Sequence, residues 1–140
     1  MKLDNLTLDQ VCMPIDFTSP KKNLKLAHDL LKLMSEENGI GLAANQCGVP
    51  KRLFVMNIND RIYHCFNPEI IEFGKEKVIL DEGCLSFSNA RCSVSRFYSI
   101  KVKYYSAHGK ETVQWLAGLA ARCFQHELDH LNGLTMFDRT

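Results

Sequence analysis

Residues 112–133 read Thr-Val-Gln-Trp-Leu-Ala-Gly-Leu-Ala-Ala-Arg-Cys-Phe-Gln-His-Glu-Leu-Asp-His-Leu-Asn-Gly. At helical spacing the run divides into three stripes. Leu119, Cys123, His126 and His130 form one. Ala117, Ala120, Phe124, Leu128 and Leu131 form a second, and Gln114, Gly118, Arg122, Gln125, Asp129 and Asn132 a polar third. The pattern predicts one helix from about Thr112 to Leu131, ended by Asn132-Gly133. With two of three stripes apolar, that helix is expected to be mostly buried, both histidines pointing inward. Its core is His-Glu-x-x-His, which puts His126 and His130 one turn apart on one face. Two imidazoles so placed can hold one metal ion, with Glu127 as general base to a metal-bound water. Hydrogen-bonded core histidines are the plain alternative. Burying two imidazoles beside a carboxylate is costly, however, unless something such as a divalent cation satisfies them.

A catalytic metal site needs a third protein ligand and an open position. Beyond His130 the sequence offers one acid, Asp138, and no histidine, so the ligand is sought upstream. Cys123 shares the histidine face but lies a full turn away from the gap between them, and reads as a pocket wall. Cys84 is the strongest candidate. It sits in Glu82-Gly83-Cys84-Leu85-Ser86, just after the β-prone run Lys77–Leu80, where a loop could carry a thiolate to the helix. Gly83 would permit a close backbone approach.

The rest of the chain sets the frame. Its 140 residues suffice for one domain, expected over residues 1–140. Hydrophobic and charged fractions of 46% and 24% are ordinary for a globular protein, and the formal charge of +1 gives no pull toward nucleic acid or anionic membrane. No apolar run is long enough to span a membrane, and the N-terminus has no signal-peptide pattern. Six cysteines without a Cys-x-x-Cys pair read as reduced thiols in a cytoplasm. Ser19-Pro20 opens a helix whose stripe runs Leu24, Ala27, Leu31, Met34 and which stops at Asn38-Gly39. β-prone runs follow at Leu53–Ile58, Ile62–Phe66, Lys77–Leu80 and Tyr98–Tyr105, with turns at Asn59-Asp60 and His108-Gly109. Short connections favour antiparallel pairing. The expected fold class is α+β: antiparallel β-sheets around a buried C-terminal helix, plus an N-terminal helix.

Gly39-Ile40-Gly41-Leu42-Ala43-Ala44 formally matches a dinucleotide fingerprint. It follows a helix rather than a strand, so the nucleotide reading is rejected. The segment reads instead as a tight backbone stretch that approaches a substrate, with the Gln46 amide as a polar handle.

Three segments in order, Gly39–Gln46, Glu82–Ser86 and Gln125–Gly133, resemble those of peptide deformylase: Gly-x-Gly-x-Ala-Ala-x-Gln, Glu-Gly-Cys-Leu-Ser and Gln-His-Glu-x-Asp-His-Leu-x-Gly. No fixed position departs from the pattern. The resemblance implies removal of the formyl group from formyl-methionine of newly made peptides. It implies Cys84, His126 and His130 as metal ligands and Glu127 as general base and acid. The Gln46 amide and the Leu85 backbone N–H become donors to the formyl oxygen. Ile40 and Gly41 line the cleft and pair with the peptide, and Cys123 and Arg122 fall in the pocket for the methionine side chain. Fe²⁺ is the usual metal, with Zn²⁺, Ni²⁺ or Co²⁺ able to replace it. Partners would be N-formylmethionyl nascent chains met in transient proximity to the ribosome, in a bacterial cytoplasm or, for a phage-encoded member, its host's. The short tail after the third motif resembles phage-encoded members, and no ribosome docking through a C-terminal extension is expected. Arg122 stands where many bacterial members carry an apolar residue; it reads either as a selectivity element or as part of the helix's polar stripe. Arg91 and Arg96 are candidates for peptide contact or for pairing with Glu82, with plain surface positions as the alternative. Two other readings are a catalytically silent peptide binder and a zinc endopeptidase. The first finds no broken motif to support it, and the second lacks its downstream ligand.

Overall fold

Proline at the first helical position fixes φ where no backbone donor is needed, and α1 accordingly starts at Pro20 and runs to Glu36. It ends as Asn38-Gly39 predicts. Asn38 takes φ +57°, its N–H bonds Ser35 O, and the Gly39 N–H reaches back to Met34 O. These two bonds make a Schellman closure with asparagine in the left-handed position. The computed structural model describes all residues, Met1 to Thr140.

Seven strands follow: β1 (Gly41–Ala43), β2 (Leu53–Ile58), β3 (Arg61–Phe73), β4 (Lys77–Cys84), β5 (Phe87–Phe97), β6 (Ser99–Tyr105) and β7 (Glu111–Ala117). A 3₁₀ turn (Ala44–Gln46) follows β1, helix α2 (Gly118–Leu131) follows β7, and a second 3₁₀ turn covers Met136–Arg139. β1-β2-β3-β6-β7 form one sheet and β4-β5 a separate ribbon, and every pair is antiparallel. The fold is α+β, as expected. Asn59 and Asp60 both take positive φ and close the β2–β3 hairpin, with Ile58 opposite Arg61. Gly109, at φ +86°, turns β6 into β7.

The two helices bury opposite faces of the five-stranded sheet. Along β2, Leu53 and Val55 pack with Ala27, Leu30 and Leu33 of α1, while Phe54 and Met56 pack with Phe124 and Leu131 of α2. Strand side chains alternate faces, so a strand covered on both sides must be apolar throughout, and Leu53 to Met56 have no exposed surface. β6 shows the half-buried counterpart: Ile100, Val102 and Tyr104 face the core, and Lys101 and Lys103 do not.

Three expectations are corrected. The C-terminal helix begins at Gly118, not near Thr112, because residues 111–117 pair with β6 as strand β7. Thr112, Val113 and Trp115 are β-branched or aromatic, and a ladder along β6 outweighs their chance helical spacing. Gly118, at φ +62°, breaks strand from helix. β3 and β4 continue well past the predicted runs, and β5 arises where no strand is expected. The helix's polar stripe is not solvated: Arg122, Gln125 and Asp129 are buried.

Candidate active site and metal centre

α2 places His126 and His130 one turn apart, as its spacing requires, with their Nε2 atoms 3.2 Å apart. Cys84 reaches the pair from the last position of β4 rather than from a loop. Its Sγ lies 3.4 Å from His130 Nε2. The ligand atoms of Cys84, His126 and His130 all fall within 4.8 Å of one another. Such a set crowds two imidazole nitrogens and a sulfur around what protons can only partly fill. Burial and the neighbouring His126 push His130 down to about 3, so its ring is neutral, as a metal ligand must be. Burial disfavours the charged form of His126 too, but hydrogen bonds to Cys84 and Glu82 outweigh it and raise the group to about 10. One mixed sulfur–nitrogen set thus competes for one cationic charge, which a divalent cation supplies without a proton. Glu127 Oε1 and His130 Nδ1 are also buried without a protein partner. The residues present fit a metal ion.

Glu127 lies beside this set, 4% exposed, with Oε2 at 4.0 Å from His126 Nε2. Burial pushes its carboxyl up to about 7, with smaller opposing contributions from His126 and Arg96. The backbone at Gly41 presses against it. A Cβ there would stand 2.6 Å from Cys123 Sγ and 2.7 Å from Glu127 Oε2, so glycine is required for close approach rather than for a special φ.

The 3₁₀ turn aims Gln46 at the ligands. Its Oε1 accepts from the Ala43 N–H at 2.9 Å, which fixes the amide, and its Nε2 donates to Ser86 Oγ at 3.0 Å and to Cys84 Sγ at 3.5 Å. Beside it, Asn45 donates to the His130 carbonyl at 2.5 Å and so ties the same turn to α2. Leu85 occupies the β4–β5 turn, and its N–H bonds nothing within the protein.

Sequence reading treats Glu82 only as a motif letter and a possible partner for arginine. In the fold it is a buried hub. One oxygen accepts from His126 Nδ1 at 2.8 Å and Arg96 Nη2 at 2.9 Å, the other from Arg96 Nε at 2.8 Å and Arg122 Nη1 at 2.6 Å. Burial alone would raise its pKa; the bonds from Arg96 and His126 outweigh that and hold the carboxyl far below its ordinary range. With a metal bound, Glu82 would keep the single His126 proton on Nδ1 and leave Nε2 for the ion. Arg96 also bonds Asp129 Oδ2 at 2.6 Å. The pairing left open between Arg91 and Arg96 falls to Arg96. Arg91 is exposed on the cleft rim over Gly83, donating to Asp81 O at 3.4 Å. Arg122 is neither solvated nor free, but lines the cleft from a buried position. Cys123 is a buried pocket wall, as expected, 3.8 Å from Ile40 O. All six cysteines are free thiols.

One cleft of about 510 Å³ collects Ile40, Gly41, Gln46, Cys84, Leu85, Arg91, Arg122, Cys123, His126 and Glu127. The family model of polypeptide deformylase matches residues 1–140 of the chain. The chain belongs to the polypeptide deformylase family. A peptide deformylase of Thermotoga maritima is 42% identical over 119 residues, 84% of this chain and 73% of that protein. One from Carboxydothermus hydrogenoformans is 41% identical over 133 residues, 94% and 86% of the two chains. The crystal structure of the Thermotoga maritima deformylase superposes with a TM-score of 0.93 at 37% identity, covering 99% of this chain and 95% of that one. An Arabidopsis thaliana deformylase, solved with an inhibitor, gives 0.93 at 32% identity, with 100% and 81% covered. The protein is therefore an enzyme with deformylase function, a hydrolase, and its family is one of metalloenzymes acting on formylated peptides. No helix of this deformylase is long and apolar enough to cross a membrane.

Proposed function

We propose that this deformylase removes the N-formyl group from formyl-methionyl peptides, releasing formate, with Cys84, His126 and His130 holding one divalent cation, natively Fe²⁺. The convergence of those three ligand atoms within 4.8 Å, beside a buried Glu127, carries the reading. Zn²⁺, Ni²⁺ and Co²⁺ suit the same donors. The cation would supply Lewis acidity, making water more acidic and polarising the formyl oxygen.

The chain's own residues do the rest. Glu127 accepts the proton of the attacking water and passes it to the leaving amine as the carbon–nitrogen bond breaks. A carboxyl raised to about 7 suits both transfers near neutrality. Gln46 Nε2, held by Ala43 and Ser86, and the unpartnered Leu85 N–H donate to the formyl oxygen as negative charge grows there. Each such donor is worth on the order of 3 kcal/mol. Ile40 and Gly41 offer the peptide a strand edge, Arg91 meets it at the rim, and Cys123 and Arg122 wall the side-chain pocket. Substrates by this reading are nascent chains in the cytoplasm, met in transient proximity to the ribosome, and residues 1–140 act as one domain.

Formate release from a formyl-Met peptide by anaerobically purified, iron-loaded protein tests the reading. Release no greater than that of a Glu127→Ala control overturns it.

A further inference from the structure

Arg122 holds a donor that neither the fold nor the reaction uses. Its Nη1 donates to Glu82 Oε2 at 2.6 Å and to Val94 O at 3.1 Å, and its Nη2 to Val78 O at 2.5 Å. Bonds to β4 and β5 thus fix the plane of the guanidinium. The Nε–H has no protein partner, yet it is not among the sealed, unpartnered polar atoms, which are Asn45 Oδ1, Glu127 Oε1 and His130 Nδ1. Arg122 is 8% exposed and is one of the residues that line the cleft. On the proposed function, a formyl group held at Cys84 and Glu127 leaves its residue's side chain to the part of the cleft lined by Leu119, Arg122, Cys123 and Ile40. Apart from Arg122 this wall is apolar or, at Cys123, a neutral thiol.

We propose that the Arg122 Nε–H is a specificity determinant, and that this enzyme deformylates peptides beginning with formyl-methionine sulfoxide as well as formyl-methionine. An apolar wall would leave the sulfoxide oxygen desolvated and unpaired, and so reject it. A fixed, cationic N–H can donate to it. The thioether sulfur of methionine is a weak acceptor, and the norleucine side chain has none. The proposal rests on the deformylase reading, and its experiment separates the two.

Formate release is measured as kcat/KM for peptides identical except for formyl-Met, formyl-Met-sulfoxide or formyl-norleucine at the first position. Iron-loaded wild type is expected to favour the sulfoxide over norleucine by about tenfold, the size of one charge-assisted hydrogen bond. Arg122→Lys keeps a cation for Glu82 but has a methylene where Nε–H was, and should bring that ratio to one or below. Arg122→Leu, with no cation, should do the same, and serves if the lysine variant does not fold. Because each ratio compares substrates on one protein, loss of stability or metal cancels. A wild type that handles the sulfoxide no better than norleucine overturns the inference, as does a wild-type ratio retained in either folded variant. No formate from formyl-Met itself would instead sink the deformylase reading.

Discussion

Glu127 and Glu82 are carboxylates only a few ångströms from the same histidine, and their surroundings push them in opposite directions. Glu127 has no cationic hydrogen-bond partner, so burial dominates and raises it to about 7. Glu82 takes two guanidiniums and an imidazole, so it stays ionised. On the proposed function that separation divides the labour: Glu127 moves protons and Glu82 orients the His126 ring. Glu127→Gln should therefore lower kcat by about 10²–10⁴ while metal content stays at wild-type level, read by formate assay and metal analysis. Glu82→Gln should cost about 3–5 kcal/mol in urea unfolding, since it leaves Arg96 and Arg122 imperfectly compensated. The pH dependence has a definite sign. The folded pKa of Glu82 lies below its ordinary 4.5, so the stability it contributes is present above about pH 4.5 and is lost as the pH falls below it. The acid limb of wild-type stability should be steeper than that of Glu82→Gln, and equal limbs would refute this account.

At the scale of elements, strand β7 runs directly into α2, whose first residue, Gly118, has a purely conformational duty. A Cβ on Gly118 would meet nothing within 4 Å, but φ is +62°. Gly118→Ala should thus lose about 1–2 kcal/mol of stability to backbone strain and keep wild-type kcat/KM. Gly41, in β1, carries no positive φ, yet its missing side chain is what lets the strand edge reach Glu127 and Cys123. Gly41→Ala should cost at least about tenfold in kcat/KM through displacement of Glu127. A change confined to stability would refute that reading. The same close packing ends α2. Gly133, at φ +76°, closes a Schellman motif through the Leu134 N–H to Asp129 O, and its bare Cα sits under the carbonyl of Asp9.

Over the whole molecule, the site lies where two separately formed sheets meet one helix. The ribbon β4-β5 supplies Cys84 and Glu82, α2 supplies His126, Glu127 and His130, and the turn after β1 supplies Gln46. Arg96 and Arg122 fasten the ribbon to the helix. A metal bound by Cys84 and both histidines would add a further clamp between ribbon and helix that the unfolded chain lacks. Saturation at about a hundred times Kd should stabilise the fold by about 2.7 kcal/mol and raise Tm by roughly 6–10 °C. Chelation should reverse the shift in wild type, and Cys84→Ser should show little of it in the same melting experiment.

Helix α1, the turns at Asn59-Asp60 and Gly109, the burial of α2 and the shared face of His126 and His130 were legible in the sequence because each rests on local pattern. Fixed φ at proline, left-handed asparagine and glycine, and the one-turn distance between His126 and His130 need no distant partner. Residues 112–117 were not legible in this way: their apolar spacing suits a helix, and only pairing with β6 makes them a strand. Nor was the fate of the charged residues. Arg122 and Asp129 fall on the polar stripe of a helix that would normally face water. They are buried because β4 and β5 bring Glu82, Arg96 and main-chain carbonyls against them. Local sequence sets backbone preference and the spacing of donors along one element. Which charges meet and which carboxyl is desolvated depend on contacts between elements far apart in the chain, and those exist only once the fold has closed.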